Sequence, residues 1–174
     1  MGALDIPGGR PSVGFPASCD PITARATDVA AVNATVVGSA LFYRVRDGGV
    51  ITKIGLEVTT QSGNISVGIY TNSGQGKAAV PVSLKATSGA VACPAIGYQE
   101  ISLGGSVAVA PGEWIAISAD NTTAAFRSLL TSELTTQLGL GRCFKQVGSA
   151  HPLPATPGAL TAITGRAIVL EGVA

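Results

Sequence analysis

Histidine is almost missing from this chain: His151 is the only one. A metal site built on several histidines is therefore excluded, and any Ser-His or Cys-His chemistry would have to use that single ring. It sits in His151-Pro152-Leu153-Pro154, with no G-x-S-x-G motif in the sequence, and a solvent-facing loop histidine is the expected reading. Cysteine is scarce and odd in number. Cys19, Cys93 and Cys143 show no C-x-x-C spacing, which excludes zinc-ribbon and thioredoxin-like sites. Reduced thiols are expected, with a Cys93–Cys143 bridge left open. Charge is also sparse: Asp, Glu, Lys and Arg make up 12% of the chain, against ~25% in ordinary domains. The net charge of +1 gives no attraction for nucleic acid or an acidic membrane surface. No apolar run approaches the ~18 residues of a membrane-spanning helix. Met1–Arg10 lacks the basic-then-apolar pattern of a secretory leader, so a product made in the cytoplasm is expected.

What remains is rich in Ala, Val, Thr and Ser, with 23 Gly and 10 Pro. Small, β-branched and turn-forming residues favour short strands over helices. Residues 1–39 stand apart. Pro7, Gly8, Gly9, Pro11, Gly14, Pro16 and Pro21 interrupt any regular element, and we read this segment as an extended N-terminal arm with one or two short strands. Its apolar side chains, Leu4, Ile6, Val13, Phe15 and Ile22, are the candidate anchors of an assembly arm. The sandwich is expected to fold without it.

From Ala40 to Ala174 the pattern is strand, turn, strand. Leu41, Tyr43 and Val45 alternate with Phe42, Arg44 and Arg46. Val50, Thr52, Ile54, Leu56 and Val58 share one face, and Ile65, Val67 and Ile69 another, with Ser66, Gly68 and Tyr70 opposite. Further strands are expected at Val80–Leu84, Gln99–Leu103, Val107–Val109, Trp114–Ala119, Ala125–Leu130, Leu140–Val147 and Arg166–Glu171. A helical turn is expected over Ser132–Leu138, and loops over Ser88–Gly97 and Ser149–Ala159. About ten short strands without intervening helices predict an all-β protein, an antiparallel β-sandwich of jelly-roll type with Ile54, Leu56, Val58, Ile65, Val67, Ile69, Ile115 and Ile117 in one core.

Candidate chemistry is thin. Glu57, Glu100 and Glu113 could meet as paired acids only if the sheets bring them together; otherwise they are ordinary solvent-facing strand residues. Asp120-Asn121-Thr122 lacks the acidic density of a calcium loop, and Asx-turn chemistry explains it. Gly74-Gln75-Gly76-Lys77 has neither the glycine spacing nor the following Ser or Thr of a phosphate loop. Tyr70, Tyr98 and Trp114 could form a sugar-stacking platform, against a simpler reading as packing residues. No metal and no cofactor are expected.

Three segments taken in order carry a resemblance: Val50-Ile51-Thr52-Lys53-Ile54-Gly55-Leu56, Ile65-Ser66-Val67-Gly68-Ile69-Tyr70-Thr71-Asn72-Ser73-Gly74, and Pro111-Gly112-Glu113-Trp114-Ile115-Ala116-Ile117-Ser118-Ala119-Asp120-Asn121. This style of sequence resembles the β-sandwich proteins of tailed-bacteriophage virions: capsid decoration proteins, head fibres and minor tail proteins. The resemblance implies a structural, non-enzymatic role in the virion and self-association, often as a homotrimer. It also implies contact with the major capsid or another virion protein. It transfers no functional residue. The alternative is a glycan-binding, receptor-recognition module of a phage tail or fibre.

Overall fold

A computed structural model describes residues 12–14, 28–31, 36–45, 47–130, 143–163 and 166–174. Its strands are β1 (Ser12–Gly14), β2 (Asp28–Ala31), β3 (Ala40–Arg44), β4 (Gly49–Thr60), β5 (Asn64–Ser73), β6 (Val80–Thr87) and β7 (Val91–Ala92), followed by β8 (Gly97–Val109), β9 (Trp114–Ala119), β10 (Ala125–Leu130), β11 (Cys143–Gln146), β12 (Leu160–Ala162), β13 (Arg166–Ile168) and β14 (Glu171–Val173). Every pairing is antiparallel. Among the described residues there is no α-helix; one 3-10 turn spans Gly76–Ala78. The segment Ser132–Leu138 and Cys19 lie outside the described residues.

The central strands form a jelly roll. One four-stranded sheet runs β2-β10-β4-β8 and the other β3-β9-β5-β6. Between consecutive roll strands the chain changes sheet at every connection except β5 to β6, which is the double-Greek-key winding of this fold. Additional strands widen both layers. β11 and β12 extend the β9 sheet beyond β3, and β7 caps one end of β5. In the β4 sheet, β4 and β10 pair only at Val58–Phe126 and Thr60–Ala125 before diverging. The C-terminal chain fills the fork: β13 pairs with β10, the chain turns at Val169–Leu170, and β14 returns along β4. The single strand expected over Arg166–Glu171 is thus two short strands separated by a reversal.

Two pieces of the N-terminal segment belong to this architecture. β2 pairs with the outer edge of β10 and occupies the first position of the roll; β1 pairs with β14. A chain beginning at Ala40 would therefore lack a roll strand. Leu4, Ile6, Phe15 and Ile22 lie outside the described residues, and Val13 falls within β1, opposite Gly172.

Between the sheets lies the main core. All eight residues expected there, Ile54, Leu56, Val58, Ile65, Val67, Ile69, Ile115 and Ile117, pack in it with Leu41, Tyr43, Phe126 and Ile168. The Tyr43 hydroxyl reaches from β3 across this core and accepts the Ile168 backbone N–H at 3.0 Å, joining the two sheets through a polar contact in an apolar interior. Alternation fails at the start of β4. Ile51 is wholly buried and Val50 is 59% exposed, the reverse of the expected register. Its pairing with β8 shifts between Ile51 and Lys53: Ile51 faces Val107 and Lys53 faces Ser102. The extra residues of β8 include Gly104, whose φ of +79° lies in the region that favours glycine. Gly104-Gly105 therefore makes a bulge inside one long strand and does not separate two strands. Cys93 and Cys143 are both free and buried. Burial pushes the Cys143 thiol up to about 12 and raises that of Cys93, so neither is a ready thiolate at neutral pH.

Ile69 is 1% exposed at the centre of β5. Ile69→Ala is expected to cost about 2–5 kcal/mol in a denaturant melt. A cost near zero would put Ile69 on the solvent side of β5 and contradict its inward register.

Candidate functional site

Sequence alternation predicts one buried and one exposed face per sheet. The β9 sheet departs from this: β3, β5 and β9 are buried on both sides. Cross-strand pairing arranges the outer face in three rows. The first runs Gln146-Ala40-Ser118-Ser66, the second Phe144-Phe42-Ala116-Gly68-Thr87, and the third Arg44-Trp114-Tyr70-Leu84. Trp114 and Tyr70 stand in one outer row, Phe144 and Phe42 share the middle row with the small Ala116 and Gly68, and the Ser118 and Ser66 hydroxyls occupy the other outer row. Phe42 meets Tyr70 edge-on at 5.2 Å, and Trp114 and Phe144 tilt together at 5.4 Å.

The expected loop after β11 covers this face. Residues 147–159 cross it as a strap, burying Ala150 and Leu153 against Phe42, Tyr70, Trp114 and Phe144 in a second core. Its backbone is held at successive points. Ala150 N donates to Gly38 O at 2.7 Å, Leu153 N to Ser66 Oγ at 3.4 Å and Gly158 N to the Gln146 side chain at 2.7 Å. It accepts the Tyr70 hydroxyl at Pro154 O, 2.6 Å, and Leu84 N at Ala155 O, 2.8 Å. Tyr70 donates from a buried position, and desolvation raises its pKa. Trp114 Nε1 donates to Asn72 Oδ1 at 3.0 Å. Gly68 makes the strap's approach possible: a Cβ there would stand 2.6 Å from Ala86 O and 3.0 Å from Leu153 Cδ1.

Among the described residues, a hydroxyl, an imidazole and a carboxylate come together under the first half of the strap. His151 is half-buried, not solvent-facing, with Nδ1 3.1 Å from Ser118 Oγ. Burial holds its imidazole below the ordinary histidine range, and the Asp120 carboxylate and Ser118 backbone offset part of that. Asp120 is committed elsewhere. Its oxygens accept Asn64 N at 2.8 Å, Asn64 Nδ2 at 2.7 Å and Asn121 Nδ2 at 2.9 Å, and these bonds lower its pKa to about 2. Asn121 in turn accepts Thr123 N and Ala124 N, the Asx-turn chemistry expected from the sequence. Ser118 is wholly buried and bonded to Nδ1 of a ring whose carboxylate neighbour is bound to two asparagines. The geometry is that of a packed polar seam: the nucleophile has no access to a substrate.

Of the three candidate acids, Glu57 and Glu100 share the outer face of neighbouring strands, opposite Tyr98 and Gly55 respectively in the register, each tied into an ion pair, and Glu113 lies elsewhere. Glu57 pairs with Arg127 at 2.8 Å and Glu100 with Lys53 at 2.9 Å on the outer face of the β4 sheet; Glu113 pairs with Lys85 at 2.9 Å and caps Ala110 N. The three-ring sugar platform is corrected by burial. Tyr70 and Trp114 lie under the strap, whereas Tyr98 is on the outer face of the other sheet, its hydroxyl bonded to Glu171. The strapped face itself had a signal in the sequence. Ala-Leu-Phe-Tyr in β3, Ile-Ser-Val-Gly-Ile-Tyr in β5 and Trp-Ile-Ala-Ile-Ser-Ala in β9 contain no charged residue, as strands buried on both faces require.

Gly68→Ala is expected to destabilise the protein by about 1–3 kcal/mol, because the Ala86 carbonyl cannot yield as a flexible side chain would; Trp114 fluorescence in a denaturant melt reads it. Asp120, with its lowered pKa, supports stability fully above its ordinary value of 3.8 and loses that support as pH falls toward about 2. Acid titration of Asp120→Asn should lack this component.

Comparisons with protein-family models, with curated proteins and with solved structures find no match.

Proposed function

We propose that this chain is a non-enzymatic virion structural protein that decorates or cements a bacteriophage capsid as a homo-oligomer, with a trimer as the expected state, and that its N-terminal residues are the attaching segment. The observation that carries this reading is the way the N-terminal segment joins the fold. β1 and β2 fasten it to the β4 sheet at two separate points, on β14 and on β10. Such anchoring gives the chain before Ser12 a fixed origin on the sandwich. Leu4 and Ile6 are its apolar contact residues, each contributing on the order of 1.5–3 kcal/mol if fully buried on a neighbour. The sequence resemblance supports the same role. The glycan-reading alternative loses two of its three rings to the second core, and nothing else in the geometry favours it.

The test compares the full chain with residues 12–174, a cut that keeps β1 and β2. Both should give the same circular dichroism and melting behaviour. The full chain should sediment as an oligomer and bind purified capsid shells, and the shortened chain should do so weakly. A full-length monomer that ignores shells would overturn the reading; normal assembly by residues 12–174 would remove the attaching role from Leu4 and Ile6.

A further inference from the structure

The strap is held unequally along its length. Its second half is fixed by Tyr70 Oη to Pro154 O at 2.6 Å, Leu84 N to Ala155 O at 2.8 Å and Gly158 N to Gln146 at 2.7 Å. Its first half is held mostly by longer contacts: beside the short Ala150 N to Gly38 O bond at 2.7 Å there are Gly148 N with Ser39 Oγ at 3.3 Å, Gln146 Nε2 with Gly148 O at 3.5 Å and Ser149 O at 3.4 Å, Leu153 N with Ser66 Oγ at 3.4 Å, and the His151–Ser118 contact at 3.1 Å. We infer that the first half of the strap is an acid-released latch, with His151 as its proton sensor and the Ser118–Ser66 hydroxyls as the seat it leaves.

The chemistry follows from the donors available. Among the described residues, His151 Nδ1 is the partner of the wholly buried Ser118 hydroxyl. With the ring neutral and its proton on Nε2, Nδ1 accepts the Ser118 hydroxyl hydrogen. A second proton on Nδ1 turns the ring into a donor at that atom, so the contact can persist only with the hydroxyl as acceptor. The hydroxyl hydrogen loses its acceptor, and a charge appears on a half-buried ring. The row beneath offers no charge to compensate: β3 contributes Ala40, β5 Ser66, β9 Ser118 and β11 Gln146, and of these the Ser118 backbone offsets a part of the burial cost. Asp120 is the charged group that acts on the ring, and its oxygens are already bonded to Asn64 and Asn121. It attracts the imidazolium through space and offsets only part of the burial cost. Because the closed strap disfavours the charged ring, closure is fully supported above the ordinary histidine value of 6.5 and weakens as pH falls below it. Opening bares the hydroxyl row and one side of Leu153, while the Tyr70 and Ala155 attachments keep the second half in place.

Amide hydrogen exchange, corrected for intrinsic rate, tests this between about pH 7.5 and about pH 5, the range over which imidazole titrates. Ala150 and Leu153 should lose protection on acidification, whereas Leu84 and Val67 keep theirs. The midpoint should coincide with the His151 ring titration followed by NMR. In His151→Gln the profile should be flat. Protection that is constant with pH in the native chain, or lost equally in His151→Gln, would overturn the latch. Should His151→Gln be open at every pH, Ser118→Ala decides. With the seat removed, Leu153 should be poorly protected already at about pH 7.5 and little affected by acid. A native profile in Ser118→Ala would also overturn the inference.

Discussion

The β9 sheet buries both faces of its central strands, and most of the rest of the molecule answers that constraint. A strand layer carrying Phe42, Tyr70, Trp114 and Phe144 on the side away from the main core cannot be left to water; the exposed apolar patch would invite association. The chain covers it with thirteen residues that form no strand of their own, residues 147–159. Their prolines suit the task, because a segment that crosses a sheet face has few partners for its backbone N–H groups and proline brings none. Several of the other donors and acceptors are met individually, by Gly38, Ser39, Ser66, Tyr70, Leu84 and Gln146. The bare backbone of Gly68 and the short side chain of Ala116 leave the trough into which Leu153 fits.

The β4 sheet meets the opposite difficulty. Its outer face is polar and ion-paired, but its edges are irregular because β4 and β10 separate after two residue pairs. Both ends of the described chain contribute to the repair. β13 and β14 enter the fork, and β1 and β2 fasten to β14 and β10. Tyr43 ties this patched region to the other layer, its hydroxyl taking the place of a backbone acceptor for Ile168. Desolvation raises the Tyr43 pKa well above its ordinary value, so the bridging group stays a neutral phenol.

The main core is legible in the sequence because period-2 alternation is strong in β5 and β9, and Ile65, Val67, Ile69, Ile115 and Ile117 all face inward as that pattern requires. The same pattern misleads at Val50 and Ile51, where the bulge formed by β8 changes which residue faces in; a bulge is a property of two strands and leaves little trace in the one it redirects. The strands β7 and β12 leave no signal because two or three residues carry no period. His151 defeats sequence reading for a related reason. A Pro-rich loop looks solvated in one dimension, and only the apolar outer faces of β3, β5 and β9, taken together, indicate that some loop has to lie on them. Tyr70 and Trp114 read more simply as packing residues than as a binding platform in the sequence, Trp114 above all because it lies beside Ile115 and Ile117, and the second core agrees.

The fork between β4 and β10 also sets an order of events in the life of the chain. β4 is made early, β10 much later, and the strands that fill the gap between them are the last described elements. Until β14 exists, the divergent edges of β4 and β10 carry unpaired backbone groups, and Tyr43 faces a core that lacks Ile168. The roll therefore cannot close progressively behind the ribosome, as a chain of local contacts would; it waits for contacts of long sequence separation, which are slow to form and leave strand edges open to other nascent copies. Closure of the fork thus ends the stage at which those edges are open to a second chain.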